Sequence, residues 1–188
     1  MRNNTIVINL FGGPGCGKST TAALLFGQMK LLGLHVELVR EYVKHWAWSD
    51  RKVKQSDQLY LLGKQSSYES TLYGKVDYIV TDSPILLAGV YQEYRSKGKD
   101  KYVGEAAKAF LREAEKENVT HLNFFLKRVG PFDTRGRWES EKEAKEIDNL
   151  VQSHLKEFDN GLNFEIDGPP ESRASEILGY VLGTCQIG

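Results

Sequence analysis

Gly12-Gly13-Pro14-Gly15-Cys16-Gly17-Lys18-Ser19, with Thr20 behind it, is the stretch on which the reading of this chain turns. It fits the Gly-x-x-x-x-Gly-Lys-Ser pattern of a phosphate-binding loop in full. Glycines let successive backbone N–H groups turn inward and wrap phosphate oxygens. Lys18 adds a mobile positive charge for the β- and γ-phosphates, and the Ser19 hydroxyl is a hard oxygen ligand for Mg²⁺. Residues 5–10 (TIVINL) before the loop read as a buried strand, and residues 21–32 after it as a helix stopped by Gly33. The positive end of that helix faces the bound anion. A chance glycine-rich turn is the alternative, and the flanking strand and helix argue against it. Cys16 reads as a small filler in the loop, with a redox role as the alternative. The nucleotide contacts are therefore assigned to Gly12, Gly13, Pro14, Gly15, Cys16, Gly17, Lys18, Ser19 and Thr20.

Outward from the loop, strand and helix patterns alternate. Strands are expected at 35–40, 76–81, 122–126 and 163–166, and helices at 41–48, 55–73, 85–94, 104–116, 140–158 and 169–182. Residues 95–101 read as a polar, mostly basic loop. This alternation implies an α/β fold with about five parallel strands covered by helices on both faces, a three-layer sandwich. The 188 residues suit one domain spanning 1–188, with a loop at 127–138. Hydrophobic residues make up 40% and charged residues 27%, so a folded core is expected. Lys+Arg and Asp+Glu are both 25, which argues against a basic coat for non-specific DNA binding and leaves room for a local basic patch. No apolar run reaches the roughly 18 residues of a membrane span, and the start lacks a signal-peptide pattern. Cys16 and Cys185 form neither a zinc motif nor a disulfide framework, so a soluble protein of a reducing compartment, the cytoplasm, is expected.

The loop alone does not say what becomes of a γ-phosphate. Glu41 follows the second strand and Asp82 the third, and ligands of parallel α/β sheets bind beyond those strand ends. One carboxylate can hold the Mg²⁺ shell and the other can take the proton of an attacking hydroxyl. Ser19 and Asp82 are the metal candidates, and Asp82 and Glu41 both stay open as the base. Each could instead cap the following helix. Arg128, Arg135 and Arg137 in the loop after strand four can close over transferring phosphates, Arg128 and Arg137 foremost; a solvated loop is the alternative. Tyr42, His45, Trp46 and Trp48 can stack on a base or staple a short helix. Arg95, Lys97, Lys99 and Lys101 are either solvated or contacts for nucleic-acid phosphates. Residues 167–172 are a candidate border of the base site.

The loop resembles that of small phage-encoded P-loop kinases, within the nucleoside- and nucleotide-kinase branch of P-loop proteins. So do Arg40-Glu41-Tyr42-Val43, Gly74-Lys75-Val76-Asp77, Val80-Thr81-Asp82-Ser83-Pro84, Leu122-Asn123-Phe124-Phe125-Leu126 and Glu143-Ala144-Lys145-Glu146-Ile147-Asp148. The likeness runs from about residue 5 to 168, and is similar more distantly to nicotinamide riboside kinase domains. It implies a nucleotide-kinase strand order of 2-3-1-4-5 and ATP as the nucleotide. Some members are 5-hydroxymethyluracil DNA kinases, which phosphorylate the base hydroxymethyl group in DNA ahead of thymidine hypermodification; others are described as thymidylate-kinase-like. The resemblance then implies phosphate and Mg²⁺ roles for Lys18 and Ser19, a base in Asp82 or Glu41, and lid roles for Arg128 and Arg137. DNA carrying modified thymine-like bases is the expected partner. A kinase of a free nucleoside or nucleotide, and a nucleotide-dependent regulatory switch, are the rivals.

Overall fold

The computed structural model describes residues 4–133, 135, 138–158 and 162–184. Its strands are β1 (Thr5–Phe11), β2 (Val36–Val39), β3 (Tyr78–Thr81), β4 (Val119–Leu126) and β5 (Leu162–Ile166). Its helices are α1 (Lys18–Leu31), α2 (Lys44–Trp48), α3 (Asp57–Ser70), α4 (Leu87–Ser96), α5 (Tyr102–Lys116), α6 (Glu141–Glu157) and α7 (Pro170–Thr184). All strand pairs are parallel, in the order β2-β3-β1-β4-β5. This is the nucleotide-kinase order expected from the resemblance.

Side-chain alternation sorts the strands onto two faces. Ile8 and Leu10 of β1 and Leu122, Phe124 and Leu126 of β4 point to α1 and α7, where they pack on Leu25, Met29 and Ile177. Phe11 and Phe125 point the other way, into a core built with Leu62, Val90, Leu111, Ile147 and Val151 of α3 to α6. Burial of these apolar side chains is the main stabilising contribution, about 1.5–3 kcal/mol each. One row crosses the sheet in a different chemistry. Asn9, Asn123 and Asn163 are direct partners in the β1/β4 and β4/β5 registers. Asn9 Nδ2 donates to Asn123 Oδ1 at 2.9 Å, Asn123 Nδ2 to Asn163 Oδ1 at 2.9 Å, and Asn163 Nδ2 to the Leu155 carbonyl at 3.2 Å.

Element ends differ from the sequence expectation in three informative places. The segment at 41–48 is helical only from Lys44, and ahead of it the Glu41 N–H is held by Asp82 Oδ1 at 2.9 Å. Residues 95–101 are not all loop: α4 continues through Arg95 to Ser96 and ends with Lys97 in the left-handed region, φ 55°. β4 begins at Val119, earlier than expected, and its added residues pair with Thr5–Val7 of β1. α6 starts as its sequence suggests, with a capping box in which Ser140 Oγ accepts the Glu143 N–H and Glu143 accepts the Ser140 N–H. No helix among the described residues is long and apolar enough to cross a membrane.

Candidate active site

β1 delivers the phosphate-binding loop to the C-terminal edge of the sheet, where the strand order reverses around β1. Gly12 cannot carry a side chain: a Cβ there would lie 2.6 Å from Cys16 Sγ and 3.2 Å from the Leu126 carbonyl. Cys16 is thus the buried filler of the loop's interior, as its size suggested. Gly17 is left-handed, φ 93°, and begins α1 with no side-chain cap. Among the described residues no carboxylate or hydroxyl caps the first N–H groups of α1, which suits a phosphate. Lys18 Nζ donates to the Gly12 and Gly13 carbonyls at 2.7 and 2.9 Å. The Ser19 hydroxyl accepts from Lys44 Nζ at 3.4 Å. Loop, lysine and hydroxyl fit a nucleotide triphosphate with its divalent cation. Among the described residues no group of three His, Cys, Asp or Glu could cage a metal alone. A divalent cation here would depend on Ser19, water and phosphate oxygens.

Two arginines brace the loop from behind. Arg128 donates through Nε and Nη2 to Asp148 Oδ2 at 3.0 and 2.8 Å, and through Nη1 to the Pro14 carbonyl at 2.7 Å. Asp148 Oδ1 accepts the Gly13 N–H at 2.5 Å. The sequence reading had Arg128 closing over the phosphates; its guanidinium is instead committed to α6 and to the shoulder of the loop. Arg173 of α7 is fully buried, donating to the Cys16 carbonyl at 2.6 Å and to the Lys127 carbonyl. Sequence reasoning passed over Arg173. Its signal was available: a lone arginine four residues before Ile177, on the apolar face of α7. Pro170, within 167–172, also stands beside Gly17. Arg137 and Cys185 lie outside the described residues. Arg135 is exposed and paired with Asp133 at 2.9 Å.

In front of Lys18 opens a cavity of about 190 Å³. Its walls are the turn at Tyr42–Lys44, α3, α4 and the Trp138–Glu139 pair ahead of α6. Glu41 lines it. Burial raises the Glu41 pKa, opposed by Lys18 and reinforced by Asp82. Asp82 is buried beside it and grips its backbone rather than lining the cavity. Arg95 reaches in from α4, pairing with Glu139 at 3.5 Å and donating to the Val53 carbonyl at 3.4 Å. Burial likewise raises Glu139, with Arg95 opposing. Gln65 Nε2 and Arg95 Nε are buried without a hydrogen-bond partner among the described residues. Gln58 and Gln65 are buried polar residues a heptad apart on the inner face of α3, a pattern legible in the sequence and missed there. The aromatic cluster divides its labour: Tyr42 lines the cavity, Trp46 is buried against Tyr60 and under Arg51, and Trp48 is exposed.

Solved structures with the same architecture include the deoxyadenosine kinase of M. mycoides. With its products dCMP and dCDP bound it matches at TM-score 0.64 and 18% identity, covering 94% of this chain and 99% of that one. With dATP bound it matches at 0.60 and 20%, covering 93% and 98%. The APS kinase of Mycobacterium tuberculosis matches at 0.50 and 12%, covering 96% and 97%. At these identities the likeness establishes the fold, that of the P-loop nucleotide kinases. No curated protein matches the chain. A family of AAA domains matches residues 7–173, from the first strand through the loop to the arginine that holds it, and the chain belongs to that AAA-domain family.

Proposed function

We propose that the chain is an ATP- and Mg²⁺-dependent kinase acting on the hydroxymethyl group of 5-hydroxymethyluracil in DNA. The observation that carries the transfer reaction is Glu41, a buried carboxylate of raised pKa that lines the same cavity as Lys18. Glu41 takes the proton of the acceptor hydroxyl as its oxygen bonds to the γ-phosphorus. The bond to the β-phosphate oxygen breaks and ADP leaves. Lys18 and the N-terminus of α1 hold the phosphates, and Asp82 fixes Glu41 through its backbone. Ser19, with Asp82 through water, would hold Mg²⁺, which supplies charge neutralisation on the phosphate oxygens. The unpartnered Gln65 amide at the cavity supports a flat acceptor with a ring carbonyl, since leaving that donor unmade is costly. The choice of 5-hydroxymethyluracil rests on the phage-kinase resemblance. A second reading, a kinase of free deoxynucleosides, is favoured by the deoxyadenosine kinase among the structural relatives.

The test is phosphoryl transfer from γ-labelled ATP to single-stranded DNA containing 5-hydroxymethyluracil, to unmodified DNA and to free nucleosides, with the product located by mass spectrometry. Label on the modified base of DNA is expected; label on free nucleosides alone selects the second reading. Glu41→Gln should lose about 10²–10⁴-fold in kcat with nucleotide affinity retained. Wild-type turnover by Glu41→Gln together with loss in Asp82→Asn would transfer the base role to Asp82.

A further inference from the structure

Two basic runs far apart in sequence meet at the mouth of the cavity. The first is Arg51, Lys52 and Lys54; the second is Lys97, Lys99 and Lys101. Gln55 Nε2 donates to Asp100 Oδ2, joining the two loops, and Arg95 Nη1 donates to the Val53 carbonyl at 3.4 Å just inside them. Val53 and Arg95 both line the cavity, so the joined runs border its lip. All six cations are exposed. Over 50–57 and 95–101 there are seven cations, Arg95 included, against three aspartates, in a chain whose formal net charge is zero. Arg51 approaches Asp57 at 4.0 Å and Lys101 approaches Glu93 at 3.7 Å. Lys52, Lys54, Lys97 and Lys99 have no acidic partner among the described residues. An exposed aromatic side chain flanks each run in sequence, Trp48 before the first at 70% exposure and Tyr102 directly after the second at 50%.

We infer that this strip is a track for single-stranded nucleic acid, which it guides past the cavity mouth. Spaced cations follow a phosphate backbone, and exposed aromatic faces stack on bases whatever their sequence. A base presented to the cavity must leave its stack, and a flexible single strand does so at least cost. The track rests on the proposed kinase reading for its purpose, but its binding is measurable apart from phosphoryl transfer.

The experiment measures binding of a fluorescent twelve-residue oligothymidylate by anisotropy across a salt series. It compares wild type with Lys52→Ala/Lys54→Ala and with Lys97→Ala/Lys99→Ala. Each pair removes two exposed charges, so each should weaken binding by ~10-fold near 0.1 M salt and reduce the log–log salt slope by about 1.4. Thermal melting and ATP binding should stay at wild-type values, showing that both variants are folded. Oligonucleotide binding that is unchanged in both variants overturns the track. So does a wild type that binds anionic phospholipid vesicles and no oligonucleotide. A wild type that binds oligothymidylate through these lysines, yet phosphorylates no DNA base, supports the track and overturns the DNA-kinase reading alone. DNA-base phosphorylation with a KM for DNA indifferent to both variants does the reverse.

Discussion

Gly89 of α4 and Gly104 of α5 face each other, and they are not equivalent. A Cβ on Gly89 would lie 2.5 Å from Gly104 Cα and 3.0 Å from Gly104 N, backbone atoms that cannot rotate away. Carbon pairs prefer about 3.5–4.0 Å, so Gly89→Ala must push the helices apart by about 1 Å. Overpacking of that kind costs about 1–3 kcal/mol, and the gain from alanine in a helix returns only about 0.5–1 kcal/mol. The net expectation is a loss between about 0 and 2.5 kcal/mol, with a midpoint of about 1 kcal/mol. On the other helix a Cβ at Gly104 would sit 3.8 Å from Gly89 Cα and 4.0 Å from His154 Cε1, ordinary contacts. Gly104→Ala should therefore be neutral or stabilising by up to about 1 kcal/mol. α4 also carries Ala88, Tyr91 and Arg95 to the cavity. Displacing it should raise the acceptor KM several-fold in Gly89→Ala and leave nucleotide affinity alone, because the phosphate loop hangs from β1 and α1. Urea midpoints compared at a common m-value measure the stability difference. A Gly89→Ala protein as stable as wild type, or a Gly104→Ala protein that is the more damaged of the two, would refute the reasoning.

Glu69 is fully buried on α3, accepts the Tyr73 hydroxyl at 2.7 Å, and is held by burial at a pKa of about 7 against an ordinary 4.5. Between those values the folded chain keeps a proton that the unfolded chain has lost, so this group's contribution to stability falls as pH rises, by up to about 3 kcal/mol. Glu69→Gln should flatten that slope and be the more stable protein at pH 8. Urea midpoints from pH 5 to 8 check it, and parallel curves for the two proteins would count against it. His121, whose pKa burial lowers to about 4, acts with the opposite sign on the acid side and cancels from the comparison. Arg128 and Asp148 are nearly buried partners that also hold Pro14 and Gly13. Alanine at either should cost about 2–3 kcal/mol, less than breaking a wholly buried pair. A double-mutant cycle should show coupling above about 1 kcal/mol, and ATP affinity should fall several-fold in each variant; strict additivity would deny the pair its role.

The parallel sheet and its loop were legible because local signals agreed with the global fold: β-branched runs for the strands, a glycine pattern between strand and helix, and helical patterns alternating with the strands. What was misread depended on contacts distant in sequence. Nothing near Glu41 announces that Asp82, forty-one positions on, holds its N–H. Arg95 looked like one cation among several in a loop, and only the continuation of α4 turns it toward Glu139 and the cavity. Arg128 sits in the segment where a lid was sought, but its partner Asp148 is two turns into α6, and that pairing directs it to Pro14. Gln65 and Arg173 were hidden by the opposite prejudice, that polar residues within helices face water.

The asparagine row at positions 9, 123 and 163 has a bearing on how the sheet finds its alignment. An apolar–polar alternation repeats every second residue, so it rejects a slip of one place and is blind to a slip of two. The amide row is not blind. Shifting β4 by two against β1 would set Asn123 opposite an apolar neighbour and strand buried amides, at about 1–3 kcal/mol for each unsatisfied group. Its three members lie 114 and 40 positions apart in the chain and meet only when distant segments are correctly docked. The row thus works as a key cut for a single lock on the β1, β4 and β5 side of the sheet, letting hydrophobic collapse proceed freely while penalising closure of those strands out of alignment.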